Sequence, residues 1–256
     1  MDPTQTTPHR LPQRARDELS AAVAFLTRLP VRAAEPNLAR ACWAFPIVGA
    51  MVGATGGLVL IGGLLLNLPP LAAALLALLT ATAMTGALHE DGLADTADGL
   101  AGENPGRRLE IMRDSRIGAF GVLALVFSVG LRAAALVAIA DAAAGFEALV
   151  LAAALSRGIL PSLMYAVPLA STSGLAAMVG RPERGPTVVA ALIAAGGAVA
   201  LLGPGHGFGG LLIGALIAAL IGLLAKRRLG GYNGDVLGAA QQCAETAVLL
   251  YIAAIL

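Results

Sequence analysis

Residues 71–99 read LAAALLALLTATAMTGAL followed by HEDGLADTADG, and the junction between these two blocks decides the fold. The first block runs 18 residues without a charge, and a helix crosses the roughly 30 Å hydrocarbon core of a bilayer with about 20 mostly apolar residues. The second block packs His89, Glu90, Asp91, Asp95 and Asp98 into ten positions. An apolar run that ends in so dense an acidic cluster has the form of a spanning helix that delivers chemistry to one membrane face.

The first block's pattern recurs along the chain. Of 256 residues, 57% are hydrophobic and 13% charged, and the mean hydropathy of +0.80 lies far above that of a soluble domain. Further apolar runs cover Ala44 to Leu66, Gly118 to Ala140, Glu147 to Pro168, Thr187 to Leu202, Gly210 to Ala225 and Val236 to Leu256. With Leu71 to Leu88 they make seven candidate spans, and because the fifth and sixth are short and Gly/Ala-rich a count of six is left open. The expected fold is an all-α, polytopic integral membrane helix bundle. A soluble helical protein would need a polar stripe on each helix, and these segments have almost none.

Ahead of the spans, Leu19, Val23, Ala24 and Leu26 fall at helical spacing, opposed by Arg14, Asp17, Glu18 and Arg28. This predicts an amphipathic surface helix from Gln13 to Leu29, stopped by Pro30. Residues 1–12 read as a disordered tail and 13–256 as a single transmembrane catalytic domain, with no cleaved secretory signal. Cys42 and Cys243 lack metal or disulfide spacing and read as packing residues.

Fifteen of the 17 Lys and Arg residues lie in alternate polar segments: the N-terminal forty residues, His89 to Arg116, Arg181 with Arg184, and Lys226 to Arg228. Seven spans put all four segments on one side, which the positive-inside rule makes the cytoplasm. The opposite connections carry no Lys or Arg and leave no room for an outer domain. The expected location is the cytoplasmic (inner) membrane, with the active site facing the cytoplasm. No nucleic-acid partner is expected, and a homo-oligomer is left open.

On a helix, Asp91, Asp95 and Asp98 stand at i, i+4 and i+7, within about 60° of one another around the axis. Three carboxylates on one face repel, and a divalent cation relieves that repulsion. Oxygen ligands select a hard ion such as Mg²⁺, which works with a few carboxylates and substrate phosphate oxygens. The bland alternative is a solvated loop whose glycines make turns. Arg107, Arg108, Arg113 and Arg116 follow, suited to a polyanion or, for the first two, to plain membrane anchoring. Arg157 inside a span should face a carboxylate or a substrate phosphate, whereas Arg132 reads as structural. Asp235 completes the metal site or caps the last helix, Glu245 is a further acid or an arginine's partner, and His89 is a base or a substrate contact. The competing reading as an ion-coupled transporter is weakened by the absence of repeated broken helices.

These residues carry a resemblance. Phe25-Leu-Thr-Arg-Leu-Pro-Val31, Phe45-Pro-Ile-Val-Gly49, His89 to Gly99, Ile111-Met-Arg-Asp-Ser-Arg-Ile-Gly-Ala-Phe-Gly-Val122, Leu155-Ser-Arg157 and Gly230 to Ala239 resemble the cobalamin synthase, or adenosylcobinamide-GDP ribazoletransferase, family from about residue 19 to the end. Glu90 and Tyr232-Asn233 depart from its usual pattern. The resemblance implies an enzyme that joins adenosylcobinamide-GDP to α-ribazole or its 5′-phosphate, releases GMP and forms adenosylcobalamin or its 5′-phosphate. With it go Mg²⁺ on Asp91, Asp95 and Asp98, a base among these or Asp114, and substrate contacts from His89, Arg113, Arg116, Arg157 and Asp235. The DGxxAD pattern is also similar to that of CDP-alcohol phosphotransferases, which leaves a lipid enzyme as the alternative.

Overall fold

The computed structural model describes residues 10–32, 37–139 and 141–256, so most of the expected tail lies outside the described residues. Eleven α-helices occur among them: α1 (Arg10–Leu26), α2 (Leu38–Ala41), α3 (Phe45–Leu65), α4 (Pro70–Thr85), α5 (Leu88–Gly99), α6 (Pro105–Met112), α7 (Ala119–Ala138), α8 (Ala142–Ala166), α9 (Leu175–Val179), α10 (Arg184–Leu229) and α11 (Gly234–Ile255). Five segments are long and apolar enough to cross a membrane, and the bent pair α4–α5 makes a sixth.

The fifth and sixth expected runs fall together in α10, whose 46 residues are interrupted at Gly203, with φ 74° and ψ 170°. In a straight helix positions 198 and 207 would lie about 13 Å apart. Here a Cβ added to Gly207 would stand 2.6 Å from the Ala198 carbonyl oxygen, so the chain doubles back at Gly203. Counting its two arms separately gives seven passes.

The topology carries the charge pattern into three dimensions. Arg40 faces Glu183 at 3.8 Å, Arg28 N–H donates to the Met84 carbonyl, Arg108 donates to the Arg228 carbonyl and Arg181 to the Tyr165 carbonyl. All four basic segments therefore meet at one end of the bundle. At the other end lie the tight turn at residues 66–69, Asp141 capping α8 through the Ala144 amide, and the reversal at Gly203.

Small residues set the packing, as in helix bundles that lack a hydrophobic drive between spans. Gly49, Gly53 and Gly57 recur every four residues on α3, and a Cβ on Gly49 would stand 2.8 Å from the Ala153 carbonyl carbon of α8. The backbones of α3 and α8 thus approach closely. Helix α1 crosses the basic end, burying Ala21, Ala22, Val23 and Leu26, and Trp43 Nε1 donates to Glu18 at 2.7 Å. It runs from Arg10 to Leu26 rather than from Gln13 to Leu29, so it takes in the last residues of the expected tail, and Ala24 is exposed because it sits about 160° round the helix from the buried Ala22 and Leu26.

Candidate active site

The acidic segment is helical but does not continue the span before it. Gly86 and Ala87 both take left-handed conformations, φ 66° and 60°, and α5 leaves α4 at a bend of 92°. For Ala87 that conformation costs roughly 1–2 kcal/mol, which surrounding contacts must offset. The turn lays α5 across the basic end. Asp91, Asp95 and Asp98 fall on one side of it, and Glu90 points about 100° away, into the bundle.

A second chain segment joins this face. A Cβ on Gly92 would lie 2.8 Å from the Asp235 carbonyl oxygen, and one on Gly238 would lie 2.9 Å from the His89 carbonyl oxygen. Two glycines therefore let α5 and the start of α11 cross at near backbone contact. Asn233 caps α11 through the Val236 amide and donates to Asp235 at 2.8 Å. The charged neighbours of Asp95 are Asp91, Asp235 and Asp98, and Asp235 faces Asp91.

Asp98 has a separate engagement. Its two oxygens accept from the amides of Gly118 at 2.7 Å and Gly121 at 2.9 Å, so it caps the N-terminus of α7, where the helix dipole favours an anion. Among the described residues no three Asp, Glu, His or Cys side chains stand close enough to enclose a metal. Mg²⁺ does not need such a cage, because it keeps several waters and binds through one or two carboxylates with substrate phosphates. The all-oxygen set of Asp91, Asp95 and Asp235 fits that ion, and nothing in it favours a thiophilic one.

The arginines divide. Arg113 is exposed and donates to Ser171 at 3.3 Å. Arg116 clasps Asp114 through Nε and Nη2 at 3.1 and 2.7 Å, and this pairing holds the Asp114 carboxyl down at about 2. Arg107 pairs with Glu110 on the surface. Arg108 is buried and donates to the carbonyls of Arg228 and Glu103, tying α6 to the end of α10.

Arg157 lies elsewhere, in a polar network inside the bundle. Glu245 accepts from Arg157 at 2.8 Å and from Arg132 at 3.1 Å, and from Gln241. Arg132 also stands 3.8 Å from Glu90, which accepts from Thr82 and Gln242. Two cations and two anions thus balance where neither could stand alone. The expected carboxylate partner of Arg157 is Glu245, and Arg132 pairs with the same acid. His89 is 3% exposed and packs between this network and the site, its Nδ1 without a hydrogen-bond partner.

Next to the carboxylates a cavity of about 220 Å³ opens among α1, α3, α5, α6, α8, α9 and α11. Asp91, Asp235, Asn233, His89 and Arg113 are among its lining, together with Ser171 and Ser173. Phe25, Phe45, Leu160, Met164 and Val179 form much of the rest. Ser171 arrives from a distant segment without a motif, and Phe25, although it opens the Phe25-to-Val31 motif, carries no chemical group that would place it at the site.

Comparison with known proteins follows the same residues. The family model for cobalamin-5-phosphate synthase matches residues 18–253. The adenosylcobinamide-GDP ribazoletransferase of Bradyrhizobium diazoefficiens is 45% identical over 242 residues, 93% of each chain. That of Azorhizobium caulinodans is 45% identical over 91% of this chain and 94% of its own, and that of Brucella anthropi 44% identical over 89% and 93%. No solved structure matches.

Proposed function

Since the chain belongs to the cobalamin-5-phosphate synthase family, we propose that it is a membrane-embedded adenosylcobinamide-GDP ribazoletransferase dependent on Mg²⁺. A hydroxyl of α-ribazole, or of its 5′-phosphate, attacks the cobinamide-linked phosphorus of adenosylcobinamide-GDP. The new P–O bond forms as the bond to the GMP phosphate breaks, and the hydroxyl proton passes to a carboxylate. The observation that supports this reading best is that Asp91 and Asp235 line one cavity beside the Gly92–Gly238 crossing, with Asp95 one turn further along α5 on the face of Asp91.

One or two carboxylates of the set Asp91, Asp95 and Asp235, with water and substrate phosphate oxygens, would hold Mg²⁺, which when bound neutralises phosphate charge and polarises the phosphoryl group. Arg113 lines the cavity and would receive remaining phosphate oxygens of the donor, and Arg116, exposed and paired with Asp114, would add to that binding from outside the cavity. Asp98 fixes α7 against α5 and keeps the aspartate face in register. Arg157 acts at a distance through Glu245 and positions α11. The basic end carries this site, so by the positive-inside rule it faces the cytoplasm.

The test is GMP release by the protein in liposomes with both substrates, with and without Mg²⁺. Metal-dependent GMP formation that needs both substrates is the expected result, and Asp91→Asn or Asp95→Asn should lower it by about a hundredfold or more. Release of CMP from a CDP-activated lipid instead, or near-normal turnover by both variants, would overturn the assignment.

A further inference from the structure

The cavity beside the carboxylates has a mixed lining, in which Asp91, Asp235 and Arg113 stand with a larger apolar share that includes Phe25, Phe45, Leu160, Met164 and Val179. The two phenylalanine rings lie nearly parallel, 17° apart in plane with centroids 6.2 Å apart. At about 220 Å³ the space is below the roughly 300–1,000 Å³ of pockets that take whole drug-sized ligands, so it receives one ring system and not a macrocycle.

Resting on the transferase reading, we propose that this largely apolar chamber is the base pocket of the acceptor: it holds the benzimidazole ring of ribazole, with the ribose directed to the carboxylates. A benzimidazole carrying methyl groups presents apolar faces and edges, which the phenylalanine and aliphatic wall matches. Guanine, the base of the donor, carries amide and amine groups around its rim, and an apolar wall would leave them desolvated and unpaired. The corrin ring is too wide to enter and stays outside the chamber. His89 lines the cavity, while its Nδ1 is buried away from it without a partner. The N-terminal helix α1 is then part of the acceptor site through Phe25, in addition to packing against the bundle.

Two measurements on the full-length protein in detergent test this: equilibrium binding of radiolabelled α-ribazole, and the KM of each substrate in GMP release. Phe25→Ala should raise the KM and weaken the binding of ribazole roughly tenfold, and leave the KM for adenosylcobinamide-GDP within twofold. Phe25→Leu should restore most of the loss, and Val179→Phe, which narrows the chamber, should block ribazole but not the donor. On the unaltered protein, loss of both ring methyls from the acceptor should weaken binding roughly tenfold. Ribazole binding unchanged in both Phe25→Ala and Val179→Phe overturns the proposal, and so does a rise confined to the donor KM. If the unaltered protein binds ribazole as described but releases no GMP, the transferase reading fails and the pocket stands. If it releases GMP and the variants are indifferent, the pocket alone fails.

Discussion

Replacing Glu245 by Gln removes one negative charge from a place where two guanidinium groups depend on it. Arg157 and Arg132 lie 2.8 and 3.1 Å from its two oxygens, and all three side chains are at most 7% exposed. At an effective dielectric of about 20, each contact is worth at most roughly 5 kcal/mol, and the cost of taking the ions out of water cancels much of it. Removing one partner is different, because the other cations remain buried. Glu90, at 3.8 Å from Arg132, can offset only one of them. The expected loss is about 3–5 kcal/mol, read as a lowered midpoint of thermal unfolding in detergent. Adding Arg157→Gln to the variant removes the uncompensated cation and should recover part of the loss, a coupling that the double-mutant cycle measures directly. An unchanged midpoint for the single variant, or simple additivity of the two, would refute the account of a charge-balanced core.

Three further outcomes follow from the geometry. Gly92→Ala puts a methyl group 2.8 Å from the Asp235 carbonyl oxygen, so it should separate α5 from α11, cost about 1–3 kcal/mol and lower GMP release without preventing membrane insertion; normal kinetics would show that the crossing does not position the site. Asp98→Ala should cost about 1–2 kcal/mol by uncapping α7, and Asp98→Asn much less; a stable Asp98→Asn protein without turnover, in thermal unfolding and GMP release together, would give Asp98 a role beyond capping. Asp114, its carboxyl held down to about 2 by Arg116, stays ionised at any pH above that value, and the stability its pairing adds is full above the ordinary carboxyl value of 3.8 and is lost as pH falls from there through about 2. It is thus a poor proton acceptor near neutrality, and Asp114→Asn should keep the pH–rate profile between pH 6 and 9 while lowering kcat/KM a few-fold; a profile that loses its acidic limb, the rise of rate with pH, would make Asp114 the base.

Much of the architecture is written in the one-dimensional pattern, since apolar length and the alternation of basic segments suffice to fix where spans begin and which ends meet. The doubling back at Gly203 was legible as two short runs separated by a glycine-rich interval. The turn at Gly86-Ala87 was not: Ala87 is an ordinary helix former forced into a left-handed conformation by its surroundings, and no local signal announces that. The same limit applies to Asp98, whose spacing with Asp91 and Asp95 is equally consistent with ligation and with capping until the start of α7 is in place. Glu245 is a single acid in an apolar run, and that it serves two arginines at once depends on how α7, α8 and α11 pack. The chamber wall was silent for the simplest reason, because Leu160, Met164 and Val179 are indistinguishable in sequence from any other apolar residue.

The balanced core also imposes an order on how the protein can be made. Arg132 and Arg157 enter the membrane with α7 and α8, but Glu245 lies 113 and 88 residues further along the chain. Until the last helix arrives, the growing bundle holds two buried cations and, in Glu90, a single acid to meet them. Asp235 arrives on that same helix. A ribosome that stops early therefore leaves a loosely held set of spans with an incomplete acidic face, and the protein becomes rigid and competent in one step, at the end of its own synthesis.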